Sequence, residues 1–234
     1  MNRKLLEEIK EALSECELDA AVRGILITSD QKSFSAGLDL TDVAGFPTVE
    51  EVLKFTQLIG DSLGTALRIR KPVACAVAGH AIAGGFVLAA ATDFVALKRG
   101  KYQVGLTELP VGVPFPRSAF EICSNHLRNG RGLRDFIYNG LTYSPEKAFD
   151  LGFGDVLTDD AESAALAWLT KVINLPEDVF GMTKRQINFG FNQQLQHHNT
   201  ELTGHDPVLS QDKAVADVIF KNRPKFASKI KANL

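Results

Sequence analysis

Leu5, Leu6, Ile9, Ala12 and Leu13 recur at the spacing of one helical face, with charges between them, and predict an amphipathic helix over residues 3–15. The pattern then changes. Val22-Arg23-Gly24-Ile25-Leu26-Ile27-Thr28 is short and β-branched and reads as a buried strand. Residues 29–35 are turn-rich, and 34–40 form a compact loop. Apolar positions at Val52, Phe55, Leu58, Ile59 and Leu63 predict a long helix over 48–68. Val73 to Val77 is a second buried strand, 78–83 a loop of small residues, 84–92 an apolar helix opened by Gly84-Gly85, and 93–97 a third strand. Pro110, Pro114 and Pro116 interrupt the next stretch of chain.

From residue 117 the pattern is mostly helical. Ser144-Pro145 reads as an N-cap with Pro at the first helical position, and Gly152 and Gly154 close that helix. Val156-Leu157 is a last short strand. Helices are expected over 160–173, 177–197 and 206–220, then a basic segment over 221–231. Short strands alternating with helices predict an α/β core over 1–160, with a helical C-terminal region over 161–234.

The chain's 234 residues are 45% hydrophobic, enough for a sizeable core. Lys plus Arg number 26 and Asp plus Glu 28, a net charge of −2, so charge makes no case for nucleic acid or an anionic membrane as partner. Cys16, Cys75 and Cys123 stand far apart and read as reduced thiols. No apolar run approaches the ~20 residues of a membrane span. The charged start (Asn2-Arg3-Lys4) lacks a signal-peptide core, and the chain ends in Lys231-Ala232-Asn233-Leu234 rather than Ser-Lys-Leu. The expected location is the cytoplasm.

Two loops of small residues follow buried strands: Ser35-Ala36-Gly37-Leu38-Asp39 and Ala81-Ile82-Ala83-Gly84-Gly85. Small residues let a ligand approach the backbone, and Gly84 sits where a helix begins, with free N–H groups. One N–H from each loop, converging on one oxygen, makes an oxyanion hole. The plainer alternative is that these glycines serve strand–helix packing. Neither loop matches a dinucleotide or P-loop pattern. His197, His198 and His205 lack partners at metal-ligand spacing and read as a solvated helix end. His80 reads as a loop hydrogen-bonding residue and Glu121 as a surface acid. Lys221, Arg223, Lys225 and Lys229 read as a solvated basic face.

The segment Phe34-Ser35-Ala36-Gly37-Leu38-Asp39-Leu40 resembles the "FxAGxDL" loop of the crotonase (enoyl-CoA hydratase/isomerase) superfamily. Residues 71–85, from Lys71-Pro72-Val73 to Ala83-Gly84-Gly85, resemble its "KPVIAAVxGxAxGGG" segment. Residues 104–112 and 141–156 resemble two later motifs in the same order. The resemblance covers residues 3–230. It implies a spiral of ββα units with a helical trimerisation region, and a homotrimer or a dimer of trimers. It also implies an acyl-CoA thioester substrate and no separate cofactor or metal. The implied oxyanion donors are the Leu38 and Gly84 N–H groups. Ser35, Ala36, Gly37, Asp39, Leu40, Gly85, Val87 and Phe115 are expected to border substrate or CoA, with Phe86 and Leu88 as further apolar walls. A grip of the terminal basic segment on CoA phosphates is a family-level expectation without a residue match.

Hydratases of the family use two glutamates. One place is held here by Val87; the other matches Glu108. A lone carboxylate beside C2 and C4 is the arrangement of the Δ3,Δ2-enoyl-CoA isomerases, and residues 102–112 look most like the mitochondrial type. The resemblance therefore implies double-bond isomerisation by Glu108. Hydratase, hydrolase or decarboxylase chemistry, or a non-catalytic CoA-binding scaffold, stay as alternatives. Family members usually carry a strand hairpin before the first helix, so about two strands are expected to be missing or to lie outside this sequence, with some CoA-contacting backbone incomplete.

Overall fold

A computed structural model describes residues 1–128, 130–193 and 207–232, with side chains between 212 and 226 in the last stretch. Among the described residues eight strands form two four-stranded sheets, and the first six alternate between them. The first sheet has β1 (Ile25–Ile27), β3 (Val73–Val77), β5 (Phe94–Lys98) and β8 (Val156–Thr158), in that order and all parallel. The second has β2 (Ser33–Ser35), β4 (His80–Ile82), β6 (Val104–Gly105) and β7 (Thr142–Tyr143), with only β6–β7 antiparallel. Each pair β1/β2, β3/β4 and β5/β6 gives one strand to each sheet before the chain turns helical. This is the expected α/β spiral of ββα units.

Residue chemistry explains the layering. Val73-Ala74-Cys75-Ala76-Val77 is buried at every position, as a central parallel strand covered on both faces must be. On one side Ala74, Ala76 and Ala96 meet Ala161, Ala165 and Leu169 of α9 (Ala161–Val172), and these small side chains let the helix lie close to the sheet. Trp168 of α9 stacks on Phe94 with centroids 5.0 Å apart. On the other side lies the main core, with α1 (Arg3–Leu18), α3 (Val49–Leu63), α5 (Gly84–Ala90) and α6 (Arg117–Leu127).

Further helices include α2 (Leu40–Gly45), α4 (Thr65–Arg68), α7 (Arg131–Asn139), α8 (Pro145–Asp150), α10 (Glu177–Ile187) and α11 (Pro207–Ala232). Ser144 caps α8 as expected, accepting from the Lys147 N–H at 3.3 Å. Buried Lys184 fastens α10 to the sheet end, donating to Asp93 at 2.7 Å and to the Lys71 carbonyl at 3.0 Å.

Three departures from the sequence reading matter. The expected 48–68 helix breaks at Gly64 into α3 and α4, where Phe191 packs so closely that a Cβ would meet it at 3.0 Å. Residues 40–45, read partly as loop, form α2 because the Asp39 carboxylate caps it, accepting from Thr41 N–H at 2.8 Å. The expected 206–220 helix and the basic segment are one helix, α11, continuing through Pro224. Pro224 has no N–H for the Phe220 carbonyl, and the Arg223 side chain supplies that donor at 3.0 Å while its guanidinium lies 3.4 Å from the Phe220 ring centre. Arg223 thus serves its own helix. His197, His198, His205 and Lys229 lie outside the described residues or side chains.

Candidate active site

The two glycine loops meet. A Cβ built on Gly37 would lie 2.9 Å from Ala83 Cβ and 3.2 Å from Gly84 N, and one on Gly85 would lie 2.4 Å from the Ser35 carbonyl oxygen. Gly37 (φ +88°) needs its left-handed conformation, whereas Gly85 is required by packing against Ser35. The packing reading thus accounts for Gly85, and a backbone need accounts for Gly37.

Peptide geometry aims the donors. In a trans peptide the N–H points opposite to the preceding carbonyl. The Gly37 carbonyl accepts from the Met1 ammonium, and the Met1 carbonyl accepts from Asp39 N–H at 2.8 Å, which pins the loop around the Gly37–Leu38 peptide. The Ala83 carbonyl accepts from Val87 N–H at 3.1 Å, which fixes the Ala83–Gly84 peptide at the start of α5. Among the described residues, neither Leu38 N–H nor Gly84 N–H donates to a protein acceptor. Ala83 is held at φ 52°, ψ −119°, a region costly for a residue with a Cβ, and such strain clusters where structure over-determines the backbone.

Leu38 and Gly84 open into a narrow apolar cavity of about 50 Å³. Val87 on α5, Val52, Phe55, Thr56 and Ile59 on α3, Val113, Pro116, Ala119 on α6 and Ile219 on α11 form its walls, with Leu40 and Val43 of α2 near the mouth. Among the described lining residues Glu108 alone is ionisable. It begins the 3-10 turn Leu109–Val111, and its carbonyl accepts from Val111 and Val113 N–H at 3.1 and 3.0 Å. Its side-chain Oε2 is shut off from solvent and has no hydrogen-bond partner among the described residues. Burial pushes the carboxyl up to about 7, against a smaller opposing pull from the Glu108 and Thr107 backbone N–H groups. Cys123, buried on α6, is held protonated first by burial and then by the nearby Glu108 charge, so it is an inert thiol.

The placement of the other expected residues is uneven. Leu40 and Val87 line the cavity, while Ala36 and Asp39 are exposed at its rim side of the loop. The Ser35 hydroxyl accepts from Gly37 N–H at 3.2 Å and so shapes the loop. Phe115 packs half-buried against the core and is not a cavity wall; Val113 and Pro116 on either side of it take that role. Phe86 points the other way, stacked on Phe153 at 3.9 Å and tilted on Phe136 at 4.8 Å, and Leu88 likewise packs into the core. Neighbours on a helix face different sides, so only one of Phe86, Val87 and Leu88 could face the ligand. Glu121 sits outside the lining, 3.8 Å from Arg117. His80 accepts from Gln103 N–H at 3.2 Å, the loop role expected of it. Ile219 was not foreseen. Its signal was the apolar spacing Val215, Ala216, Ile219, Phe220, which predicts a buried face but not what that face covers. A larger cavity of about 340 Å³, bordered by Asp93, His126, Trp168 and Lys184, takes in Gly152, Gly154 and Asp155 of the 141–156 segment but none of residues 34–40, 71–85 or 104–112.

Comparison with known proteins agrees with this geometry. The chain matches the enoyl-CoA hydratase/isomerase family over residues 1–231. A probable enoyl-CoA hydratase of Mycobacterium leprae is 27% identical over 97% of this chain and 88% of its own length. The mitochondrial enoyl-CoA delta isomerase 1 of Mus musculus is 29% identical over 80% of this chain and 65% of its own length. The crystal structure of human mitochondrial Δ3,Δ2-enoyl-CoA isomerase superposes with a TM-score of 0.86 at 22% identity, covering 99% of this chain and 89% of that one. With paired glycine loops, a buried glutamate and a family match across nearly its whole length, the chain belongs to the enoyl-CoA hydratase/isomerase family.

Proposed function

We propose that this enzyme is a Δ3,Δ2-enoyl-CoA isomerase. The observation that carries the reading is that Glu108 is the one carboxylate among the described residues lining the cavity, while Val87 stands at the place of the second hydratase glutamate. Adding water to an enoyl thioester requires a group to hold that water, and Val87 offers none. Moving a double bond needs only one base that can give its proton back. Glu108, ionised, removes a proton from C2; the thioester carbonyl becomes a dienolate oxygen held by Leu38 and Gly84 N–H; protonated Glu108 then returns the proton to C4. A carboxyl raised to about 7 is suited to both half-steps near neutral pH. The apolar walls keep water from the reactive intermediate.

Incubation with a trans-3-enoyl-CoA is expected to give the trans-2-enoyl-CoA without accumulation of 3-hydroxyacyl-CoA. A hydroxyacyl product, a free acid or a decarboxylated thioester as the main product of an acyl-CoA panel would replace the isomerase assignment by that chemistry. Binding of acyl-CoA without turnover of any thioester would make the protein a CoA-binding scaffold.

A homotrimer or a dimer of trimers is part of the same proposal. Leu166 on α9, Leu175 after it, Val179, Met182 and Ile187 on α10 and Phe189 beyond it are all exposed, with Met182 63% and Phe189 60% accessible. That is an apolar surface of the kind a self-assembling face presents. Light scattering is expected to give the mass of three or six chains, and Met182→Glu to lower it; a wild-type monomer at micromolar concentration would overturn the assembly.

A further inference from the structure

From the size and lining of the cavity that Glu108 borders we infer that the enzyme's substrates are short, unbranched acyl-CoA thioesters of about four to six carbons, and that Ile59 and Ile219 set this limit. The inference rests on the acyl-CoA reading above but not on which reaction Glu108 performs.

The room is small. About 10–15 Å³ of free volume admits one water-sized group. A cavity of about 50 Å³ therefore takes roughly three to five such groups, close to the carbons of a butenoyl chain beyond the thioester carbonyl. Much of the wall is not loose surface side chains. Val52, Phe55 and Ile59 of α3, Val87 of α5 and Ile219 of α11 are each at most 4% exposed. Opening the pocket for a longer chain means moving packed core.

The back wall is also braced from outside. Phe55 leans on Phe46, ring centres 5.0 Å apart. One turn on, α3 and α6 touch with no space between them: a Cβ on Gly60 would lie 2.5 Å from Ser118 Cβ and Oγ. That close approach presses Thr56 and Ile59 into the cavity from one side, while α11, lying across α2 and α3, brings Ile219 from the other. Interiors packed to this density resist added methylenes, so each carbon past the wall should weaken binding rather than strengthen it.

Two measurements on the full chain test this. The first is binding of butyryl-, hexanoyl-, octanoyl- and dodecanoyl-CoA by calorimetry, which needs no turnover. The second is kcat/KM for 3-enoyl-CoAs of the same lengths. Affinity and kcat/KM are expected to peak at butyryl or hexanoyl length and to fall at least tenfold by dodecanoyl length. Ile59→Ala, and separately Ile219→Ala on a different element, should each move the optimum to a longer chain and raise the dodecanoyl-to-butyryl ratio tenfold or more. Wild-type affinity that is level or rises with length would overturn the inference. A short-chain optimum that neither folded variant moves would overturn the assignment to Ile59 and Ile219. Graded binding with no isomerase product would leave the size limit standing while removing the isomerase reading.

Discussion

Glu108→Gln is expected to lower kcat/KM for 3-enoyl-CoA isomerisation by about 10²–10⁴-fold, the range for loss of a positioned acid/base. Gln keeps the shape and polar head but neither takes nor returns a proton. The loss should fall on kcat, because acyl-CoA binding draws on the apolar walls and the two N–H donors, which this change leaves in place. Undiminished turnover in the folded variant would remove Glu108 from the mechanism, since the described lining contains no other carboxylate.

The pH dependence gives a second reading of the same residue. Activity needs the carboxylate, so kcat/KM for the wild type should rise with pH through a midpoint of about 7, and Glu108→Gln should lack that limb. Stability runs the other way. The folded carboxyl holds its proton more tightly than the unfolded one, whose pKa lies near the ordinary 4.5, so the folded state binds more protons between these values. This contribution to stability is complete below about 4.5 and is lost as pH rises through about 7. Each pH unit between these values is worth about 1.4 kcal/mol, which bounds the loss at roughly 3–4 kcal/mol. Denaturation at pH 8 should accordingly find Glu108→Gln more stable than wild type, with the gap closing near pH 4. A gain in activity bought with stability is what a buried, unpartnered carboxyl implies.

These expectations start from residues that could be read in the chain, but not all of the site could. The strand Val73–Val77 was legible because an uninterrupted apolar run of that length has few other places to go. The β2 and β4 strands fell within segments read as turn and loop. Two or three residues carry no period, and their pairing is set by register with strands far away in sequence. Glu108, Leu38 and Gly84 came from ordered motifs, and the structure brings all three to one cavity. Phe86 and Phe115 were misplaced because composition gives no direction: Phe86 has Phe136 and Phe153 to stack on, and Phe115 has the core. Ile219 lies more than a hundred residues from Glu108 and meets the cavity only because α11 returns across α2 and α3. Local patterning does not encode such a return.

Gly37→Ala should damage both the fold and the site. The residue sits at φ +88°, where a Cβ is strained by about 1–3 kcal/mol whatever the space around it. The methyl would also lie 2.9 Å from Ala83 Cβ and 3.0 Å from the Ile82 carbonyl oxygen, so the two loops must move apart. It would stand 3.2 Å from Gly84 N, crowding the direction from which the thioester oxygen must approach. Loss of one oxyanion donor costs about 10²–10³ in kcat, and a shift of the Gly37–Leu38 peptide misaligns the second donor as well. The expected result is therefore a fall in kcat of at least about 10²-fold, with a lower melting temperature. The effects of instability and of a spoiled hole can be separated. Adding Ala83→Gly removes the 2.9 Å contact and relaxes a second strained residue, so the double variant should recover part of the melting temperature. The crowding at Gly84 N remains, so kcat should stay low. If kcat recovers together with stability, the glycine serves packing alone, and the oxygen of the substrate is held somewhere other than between Leu38 and Gly84.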